Sequence, residues 1–160
     1  MTVIKAITDE IEAVDGVQLL DVDPGAATNR TVVTFVGEPE VVVEAAFRAI
    51  RKAGELIDMS QHKGEHPRFG ATDVCPFVPV SGATMEDCIQ CARALGTRVG
   101  ELGIPVYLYE NAATEEKRRN LATVRAGEYE GIPNKITQPE WKPDYGPAVF
   151  NAKTGNIDRK

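Results

Sequence analysis

Apolar positions three or four residues apart predict three amphipathic helices along the chain. They span residues 3–14, 39–57 and 85–99. This spacing places the apolar side chains of each segment on one helix face, as in a helix packed on a core. Pro39 suits the first turn of the second helix, where a missing N–H costs no hydrogen bond. Thr84 and Asp87 form a capping box before the third helix.

Four runs rich in β-branched and aromatic residues predict strands. They cover residues 17–22, 30–36, 74–80 and 104–109. The first two are close enough to form a hairpin, with Asp23-Pro24-Gly25 as a turn. The third contains Pro76 and Pro79, which donate no N–H to a ladder, so we expect it at a sheet edge or a bulge.

The order of these elements predicts a single α+β domain over residues 1–160. The late β-α-β unit should form a right-handed crossover between parallel strands. Together with the hairpin it gives a mixed sheet with helices packed on one face. Thr114 is a candidate cap for a charged segment from residue 115 to about 125. From about residue 127 Gly, Pro and polar residues dominate, which predicts an irregular tail along the surface.

Composition narrows the class of protein. The 160 residues carry a formal net charge of −6, which argues against a nucleic-acid binder because phosphates are met by clustered Lys and Arg. No segment approaches the roughly 20 apolar residues of a membrane helix, and the N-terminal residues do not resemble a secretory signal. Three cysteines, an odd number, do not suggest a disulfide framework. We therefore expect a cytoplasmic protein.

The polar segment of residues 60–73 contains both histidines of the chain. The imidazoles of His62 and His66 can take and return a proton near pH 7, which suits acid–base catalysis. Arg68 offers a planar fork for a carboxylate or phosphate. An ordinary solvated loop accounts for such a pair about equally well.

The same segment also matches a zinc-peptidase spacing. His62, Glu65 and His66 fit the pattern H-x-x-E-H, which requires both histidines on one face of a continuous helix. Gly64 and Pro67 oppose such a helix. Zinc is therefore the weaker interpretation, and no metal is expected.

Other reactive residues have competing structural explanations. Cys88 and Cys91 form a C-x-x-C, but they fall inside the apolar pattern of the third helix, which favours buried thiols over a redox pair. Cys75 also resembles a core residue. Asp21 and Asp23 at a strand end can orient a histidine or bind an amine, or they can be ordinary turn residues.

Near the end of the chain, residues 146–150 and Gly155 would let the backbone approach a ligand closely. Trp141 and Tyr145 beside them offer aromatic surface for a planar ring. A surface tail is the alternative explanation.

A series of blocks in fixed order resembles glutamate formiminotransferase. The blocks are residues 19–23, 28–32, 34–37, 57–68, 74–77, 105–109, 125–130 and 143–147. Residues 57–68 (IDMSQHKGEHPR) are similar to the catalytic loop of that family. The resemblance covers residues from about 17 to 150, and ordered blocks are far more specific than a short motif.

The resemblance implies transfer of a formimino group between glutamate and tetrahydrofolate in histidine degradation, with tetrahydrofolate as co-substrate. It implies that His66 is the catalytic histidine, with Asp23 as an acidic partner. Arg68 or Arg30 would pair with a glutamate or folate carboxylate. The stretch implied to bind folate comprises Gly146, Pro147, Ala148, Val149, Phe150 and Gly155. The implied fold is a ferredoxin-like α/β sandwich.

The chain departs from the family pattern in two respects. The family module begins with a strand that precedes the first helix, so the sheet here should close differently or borrow a strand. The second subdomain, which completes the folate cleft, is also missing. We therefore expect a homodimer or a separate second subdomain as partner. The alternative is a non-catalytic folate-binding or assembly subunit of the same fold.

Overall fold

The computed structural model describes residues 2–25, 30–57, 59, 72, 74–124, 128–147 and 157–159. Its first half consists of helix α1 (Thr2–Glu12), strands β1 (Gln18–Gly25) and β2 (Arg30–Val36), and helix α2 (Pro39–Leu56). These bounds confirm the first two predicted helices and the first two predicted strands to within a few residues. None of the helices in the described ranges is long and apolar enough to cross a membrane.

The two strands of the first half form the predicted antiparallel hairpin, but β1 is longer than predicted. Asp23 pairs with Val32, and Pro24 pairs with Thr31. The predicted turn at residues 23–25 is therefore wrong, since all three belong to the strand. Pro24 fits there because β1 lies at the edge of a two-stranded sheet.

An apolar cluster attaches this hairpin to the first two helices. Ile11, Val14 and Ala45 are its buried members, with Val33 and Phe35 packed against it. Leu20 and Val32 of the hairpin are exposed. The hairpin thus uses one set of alternating side chains to pack on the helices.

The second half contributes a separate parallel sheet. Strand β3 spans Val74–Cys75, helix α3 Met85–Glu101, strand β4 Val106–Leu108 and strand β5 Ile157–Arg159. β5 lies between β3 and β4 and is parallel to both. The parallel direction predicted for β3 and β4 is confirmed. β3 is an edge strand, as predicted, but it ends at Cys75, before Pro76 and Pro79. The described strands pair as two sheets, so the prediction of one mixed sheet is wrong.

The start of α3 shows the predicted capping box. The Asp87 N–H donates to Thr84 Oγ1 at 3.2 Å, and the Thr84 N–H donates to Asp87 Oδ2 at 3.0 Å. Beyond this cap, α3 packs against α2 in the main core. The buried side chains shared between these two helices are Ala46, Phe47, Ile50, Ala92, Leu95 and Val99.

Both faces of β4 are buried, which is typical of a strand in a parallel sheet. Val106 and Leu108 join the main core beside α3. Tyr107, together with Tyr109 just beyond the strand, points into a second cluster on the opposite face. A second layer of structure must therefore cover that face.

The residues after β4 supply this second layer. They form 3₁₀ turns at Glu110–Ala112, Glu116–Arg118 and Pro139–Trp141, and helices α4 (Leu121–Val124) and α5 (Glu128–Lys135). Val124, Ile132 and Ile136 are buried against the tyrosines of the second cluster. Over residues 128–147, the prediction of an irregular surface tail is therefore wrong.

Thr114 does not cap a helix. The charged segment that it was expected to cap forms, in its described part, a 3₁₀ turn and α4. The Thr114 hydroxyl instead donates to Asp144 Oδ1 at 3.0 Å, which links this region to a segment 30 residues later.

Candidate functional site

Much of the predicted site falls outside the described residues. This applies to His62, Glu65, His66, Arg68, Ala148, Val149, Phe150 and Gly155. The catalytic role of His66 and the zinc interpretation both stay predictions. Within the described ranges, no group of three or more His, Cys, Asp and Glu is arranged to hold a metal ion.

Two of the predicted site residues lie at the same end of the hairpin. Asp23 sits opposite Val32 and is exposed. Arg30 opens β2 opposite Gly25, two residue pairs away from Asp23. An accessible carboxylate therefore lies at the end of the hairpin where the Arg30 backbone also lies.

We call the residues that the resemblance implies to bind folate, 146–150 and Gly155, the folate stretch. Its described part is Gly146 and Pro147. The residues that lead to it, 140–146, are tied to the core, and we call them the anchored segment. Its backbone pairs with β4: the Asp144 N–H donates to the Val106 carbonyl at 2.8 Å. The Val106 N–H donates to the Tyr145 carbonyl at 2.9 Å.

The Asp144 carboxylate holds the anchored segment from a second direction. Oδ2 accepts the Leu108 N–H at 2.8 Å, and Oδ1 accepts the Thr114 hydroxyl at 3.0 Å. Arg118 Nη1 lies 3.2 Å from Oδ2. The side chains of Asp144 and Arg118 are only 10% and 5% exposed, so this ion pair is largely shielded from solvent.

The Arg118 guanidinium also binds the backbone of the anchored segment. Its Nη2 donates to the Glu140 carbonyl at 3.0 Å and to the Lys142 carbonyl at 2.8 Å. The same guanidinium lies over the rings of Tyr107 and Trp141, at 5.3 and 5.5 Å from the centroids. One buried cation therefore joins β4, the 3₁₀ turn at Glu116–Arg118 and the anchored segment.

Close backbone packing fixes the end of the anchored segment. Gly146 has φ +84°, a conformation that favours glycine. A Cβ on Gly146 would also collide with the Ile104 carbonyl. On the other side, a Cβ on Gly96 of α3 would lie 2.7 Å from Cε2 of Tyr145. The folate stretch therefore begins from a tightly determined point.

The aromatic residues of the anchored segment serve packing. Tyr145 packs on the main core against α3. Trp141 makes an edge-to-face contact with Tyr107 and has the Nζ atoms of Lys117 and Lys135 at 5.0 and 4.2 Å from its ring centroid. Both rings thus make contacts within the protein, and their role as aromatic surface for a planar ring stays a prediction.

The cysteines of the C-x-x-C behave as the sequence predicted. Cys88 and Cys91 are buried in the main core and are not joined by a disulfide. Burial raises the pKa of both thiols, and the neighbouring Asp87 carboxylate adds to this effect. A raised thiol pKa disfavours the thiolate, so this pair is poorly suited to redox chemistry.

A charged cluster joins α2 to α3. The Glu44 carboxylate accepts hydrogen bonds from Arg98 Nη1 and Arg48 Nε, each at 2.9 Å. These bonds, that from Arg98 first, hold the pKa of Glu44 below its ordinary value of 4.5. The Arg98 guanidinium also stacks on Phe47 at 3.9 Å from the ring centroid.

Sequence patterns did not reveal the roles of Arg118 and Asp144. Arg118 lies in a run of charged residues, Glu115 to Arg119, which looks like a solvated surface. Asp144 belongs to the block 143–147 that carries the family resemblance, yet a lone carboxylate between Pro143 and Tyr145 has no distinctive pattern. The sequence signal that could have pointed to this region is the apolar character of β4 on both faces. A strand that is apolar on both faces needs a second layer of structure to cover it.

The family of the chain follows from comparison with known proteins. Residues 1–157 match the model of the formiminotransferase domain, N-terminal subdomain. The chain belongs to this family, which confirms the resemblance. It is 59% identical over 154 residues to formimidoyltransferase-cyclodeaminase of Gallus gallus, a match covering 96% of the chain and 28% of the relative.

Shorter relatives give the same result. The chain is 45% identical to glutamate formimidoyltransferase of Streptococcus pyogenes and 50% identical to that of Thermoplasma acidophilum. Each match covers 96% of this chain and 52% of the relative. The chain thus spans about half the length of these shorter relatives and little more than a quarter of the longer one.

Proposed function

We propose that this chain takes part in transferring a formimino group between glutamate and tetrahydrofolate, a one-carbon step of histidine degradation. The observation that carries the proposal is the family match over residues 1–157. Two relatives with this domain are named glutamate formimidoyltransferase, and others are named formimidoyltransferase-cyclodeaminase. The reaction class in those names is the one implied by the blocks around His66.

The chemistry requires one group that takes a proton and returns it. An amine attacks the formimino carbon, a tetrahedral adduct forms, and the C–N bond to the other amine breaks. His66 takes the proton from the incoming amine and gives it to the leaving nitrogen. Unperturbed histidine has a pKa of about 6.5, which suits both directions near neutral pH.

The remaining site residues position the reactants. Asp23 holds the His66 imidazole in one tautomer, and its exposure on β1 leaves its carboxylate accessible for that role. Arg68 and Arg30 pair with the carboxylates of glutamate or folate. The stretch of Gly146, Pro147, Ala148, Val149, Phe150 and Gly155 contacts the folate. The fixed position and tight packing of Gly146 support a defined start for that stretch.

The wider setting is part of the same proposal. The chain forms one domain of ferredoxin-like ancestry in which β5, between β3 and β4, takes a central position in its sheet. The protein works in the cytoplasm, where its three cysteines would remain reduced.

The length of the relatives favours a partner. Because the chain covers 52% of two relatives with the transferase name, we propose that a second subdomain or a second copy of this chain completes the folate cleft. The same observation supports the second candidate function: a folate-binding or assembly subunit that has no turnover alone.

The test compares histidine variants in a transfer assay with formiminoglutamate and tetrahydrofolate. His66→Ala should lose at least a hundredfold in kcat, the lower range for removing a general acid–base group. His62→Ala, in the same segment, is the matched control and should retain most of the activity. Full activity of His66→Ala would overturn the catalytic assignment.

A companion measurement separates the two candidate functions. Tetrahydrofolate binding is followed by calorimetry for the chain alone and for the chain mixed with a separately expressed second subdomain from a relative. Turnover is assayed in the same two samples. Turnover by the chain alone, as a monomer or a dimer, supports the proposal that the chain is an enzyme. Binding of tetrahydrofolate without turnover in both samples supports the folate-binding subunit.

A further inference from the structure

We infer that Asp144 and Arg118 are positioning residues for the folate stretch, and that they act by fixing the direction of the chain at its first two residues, Gly146 and Pro147. The inference rests on the proposed function, because that function makes the stretch a folate contact. Neither residue was a candidate from sequence patterns. The argument depends on how the anchored segment is held.

The first step is that the Asp144 carboxylate ties three separate elements together. It accepts the Leu108 N–H at the end of β4, the Thr114 hydroxyl from the loop after β4, and the Arg118 guanidinium. A carboxylate with these partners has little freedom to rotate or shift. Asp144 is two residues before Gly146, so its position sets the direction of the chain into the stretch.

The second step is that Arg118 holds the segment upstream of Asp144. It donates to the carbonyls of Glu140 and Lys142 and pairs with Asp144. Arg118 thus makes polar contacts with three of the five residues from 140 to 144, and these contacts restrict the backbone of the anchored segment to one conformation. The guanidinium suits this role because its donors lie in a rigid plane.

The third step is that the downstream end cannot adjust. Gly146 is locked by its positive φ and by contact with Ile104, and Tyr145 packs tightly on Gly96. Because this fit is so close, a displaced Asp144 would disturb the packing of Tyr145 and Gly146, and Pro147 would move with them. Small displacements of binding groups are costly for affinity and rate.

The experiment compares Asp144→Asn with Glu115→Gln. The asparagine keeps the size of the side chain and an acceptor for the Leu108 N–H, but it removes the charge that pairs with Arg118. Glu115 is the matched control because its Oε2 lies 3.6 Å from Arg118 Nε and it is not part of the anchored segment. Thr114→Val removes one bond to Asp144 and serves as a milder second variant.

Two readouts are used, on chain that far-UV circular dichroism shows to be folded. The first is the Kd for tetrahydrofolate, measured with the second subdomain present if the wild type needs it. It should rise about tenfold for Asp144→Asn, equivalent to about 1.4 kcal/mol, and two- to threefold for Thr114→Val. In turnover the KM for tetrahydrofolate should rise while kcat stays within about twofold, which a general loss of structure would not produce.

The second readout is amide hydrogen exchange of peptides covering residues 146–150 without ligand. Exchange should accelerate in Asp144→Asn and stay at the wild-type rate in Glu115→Gln. Unchanged exchange and unchanged Kd in Asp144→Asn would overturn the inference, as would equal changes in the Glu115→Gln control. A wild-type chain that binds no tetrahydrofolate would count against the proposed function, and the exchange rates would then decide the positioning role alone.

Discussion

The hairpin region and the anchored segment are joined to the protein by different kinds of contact. Around α1, α2 and the hairpin, buried aliphatic and alanine side chains such as Ile11, Val14 and Ala45 provide the contact. Around the anchored segment, the Asp144–Arg118 pair and its backbone bonds add a polar connection to the packing of Trp141 and Tyr145. Apolar contact tolerates changes of shape, whereas a buried ion pair depends on both partners. The two regions should therefore respond differently to conservative substitutions.

The largest effect is expected from Arg118→Ala. It would leave the Asp144 carboxylate, 10% exposed, without its cation and two backbone carbonyls without their donor. Breaking a buried pair in this way costs about 3–5 kcal/mol. Urea denaturation at neutral pH measures the free energy of unfolding. Arg119→Ala, next to it and exposed, is the control and should change stability by less than about 0.5 kcal/mol. If Arg118→Ala and Arg119→Ala lost similar amounts of unfolding free energy, the buried ion pair would have no special role in holding the anchored segment.

A smaller effect on the free energy of unfolding is expected from Ile11→Val, on helix α1 beneath the hairpin. Ile11 is 1% exposed, and removal of one methylene from such a site costs about 0.5–1.5 kcal/mol. Ile7→Val on the same helix, at a partly exposed position, should cost less. A loss for Ile11→Val as large as that for Arg118→Ala would show that the apolar region is no more tolerant than the polar one.

The smallest effect concerns pH and the charged link between α2 and α3. Since hydrogen bonds lower the folded-state pKa of Glu44, its stabilisation is present above the unfolded pKa of about 4.5 and is lost as pH falls through the folded value. Glu44→Gln should therefore be less stable than wild type at pH 7, and the difference should shrink below about pH 4.5. The effect is small because the carboxylate is about one-third exposed.

Urea titrations between pH 7 and pH 3 would follow this difference. Arg98→Gln removes the main donor and should show the same narrowing with acid. A gap between wild type and Glu44→Gln that stays constant across this range would contradict the assigned role of the ion pair.

The elements that sequence patterns predicted well are those with local signals. Helix α3 was predicted from its apolar period together with Thr84 and Asp87, and all of these act within a few residues of one another. The hairpin was predicted from two β-branched runs, but its extent was not. The Asp23-Pro24-Gly25 composition resembles a turn, and pairing with β2 overrides this local preference.

The elements that were missed depend on distant partners. Helix α5 contains Gly131 and Pro133 and a weak apolar pattern, yet Ile132 is fully buried because Tyr107 and Tyr109 of the β4 region need cover. The Arg118–Asp144 pair joins residues 26 positions apart, and no periodicity marks such a pair. For the candidate site, the family resemblance predicted His66 and the folate stretch. The contacts of Arg118 and Asp144 with the anchored segment were found only in the structure.

The central position of β5 has a consequence for synthesis of the chain. As the protein emerges from the ribosome, the hairpin of β1 and β2 can pair as soon as residue 36 is free. Among the described residues, β5 is the strand that joins β3 to β4, so these two strands cannot form one sheet until residues 157–159 arrive. Cotranslational folding would thus leave the parallel sheet incomplete until residue 159 has emerged, with the edge of β3 exposed to other nascent chains and to chaperones.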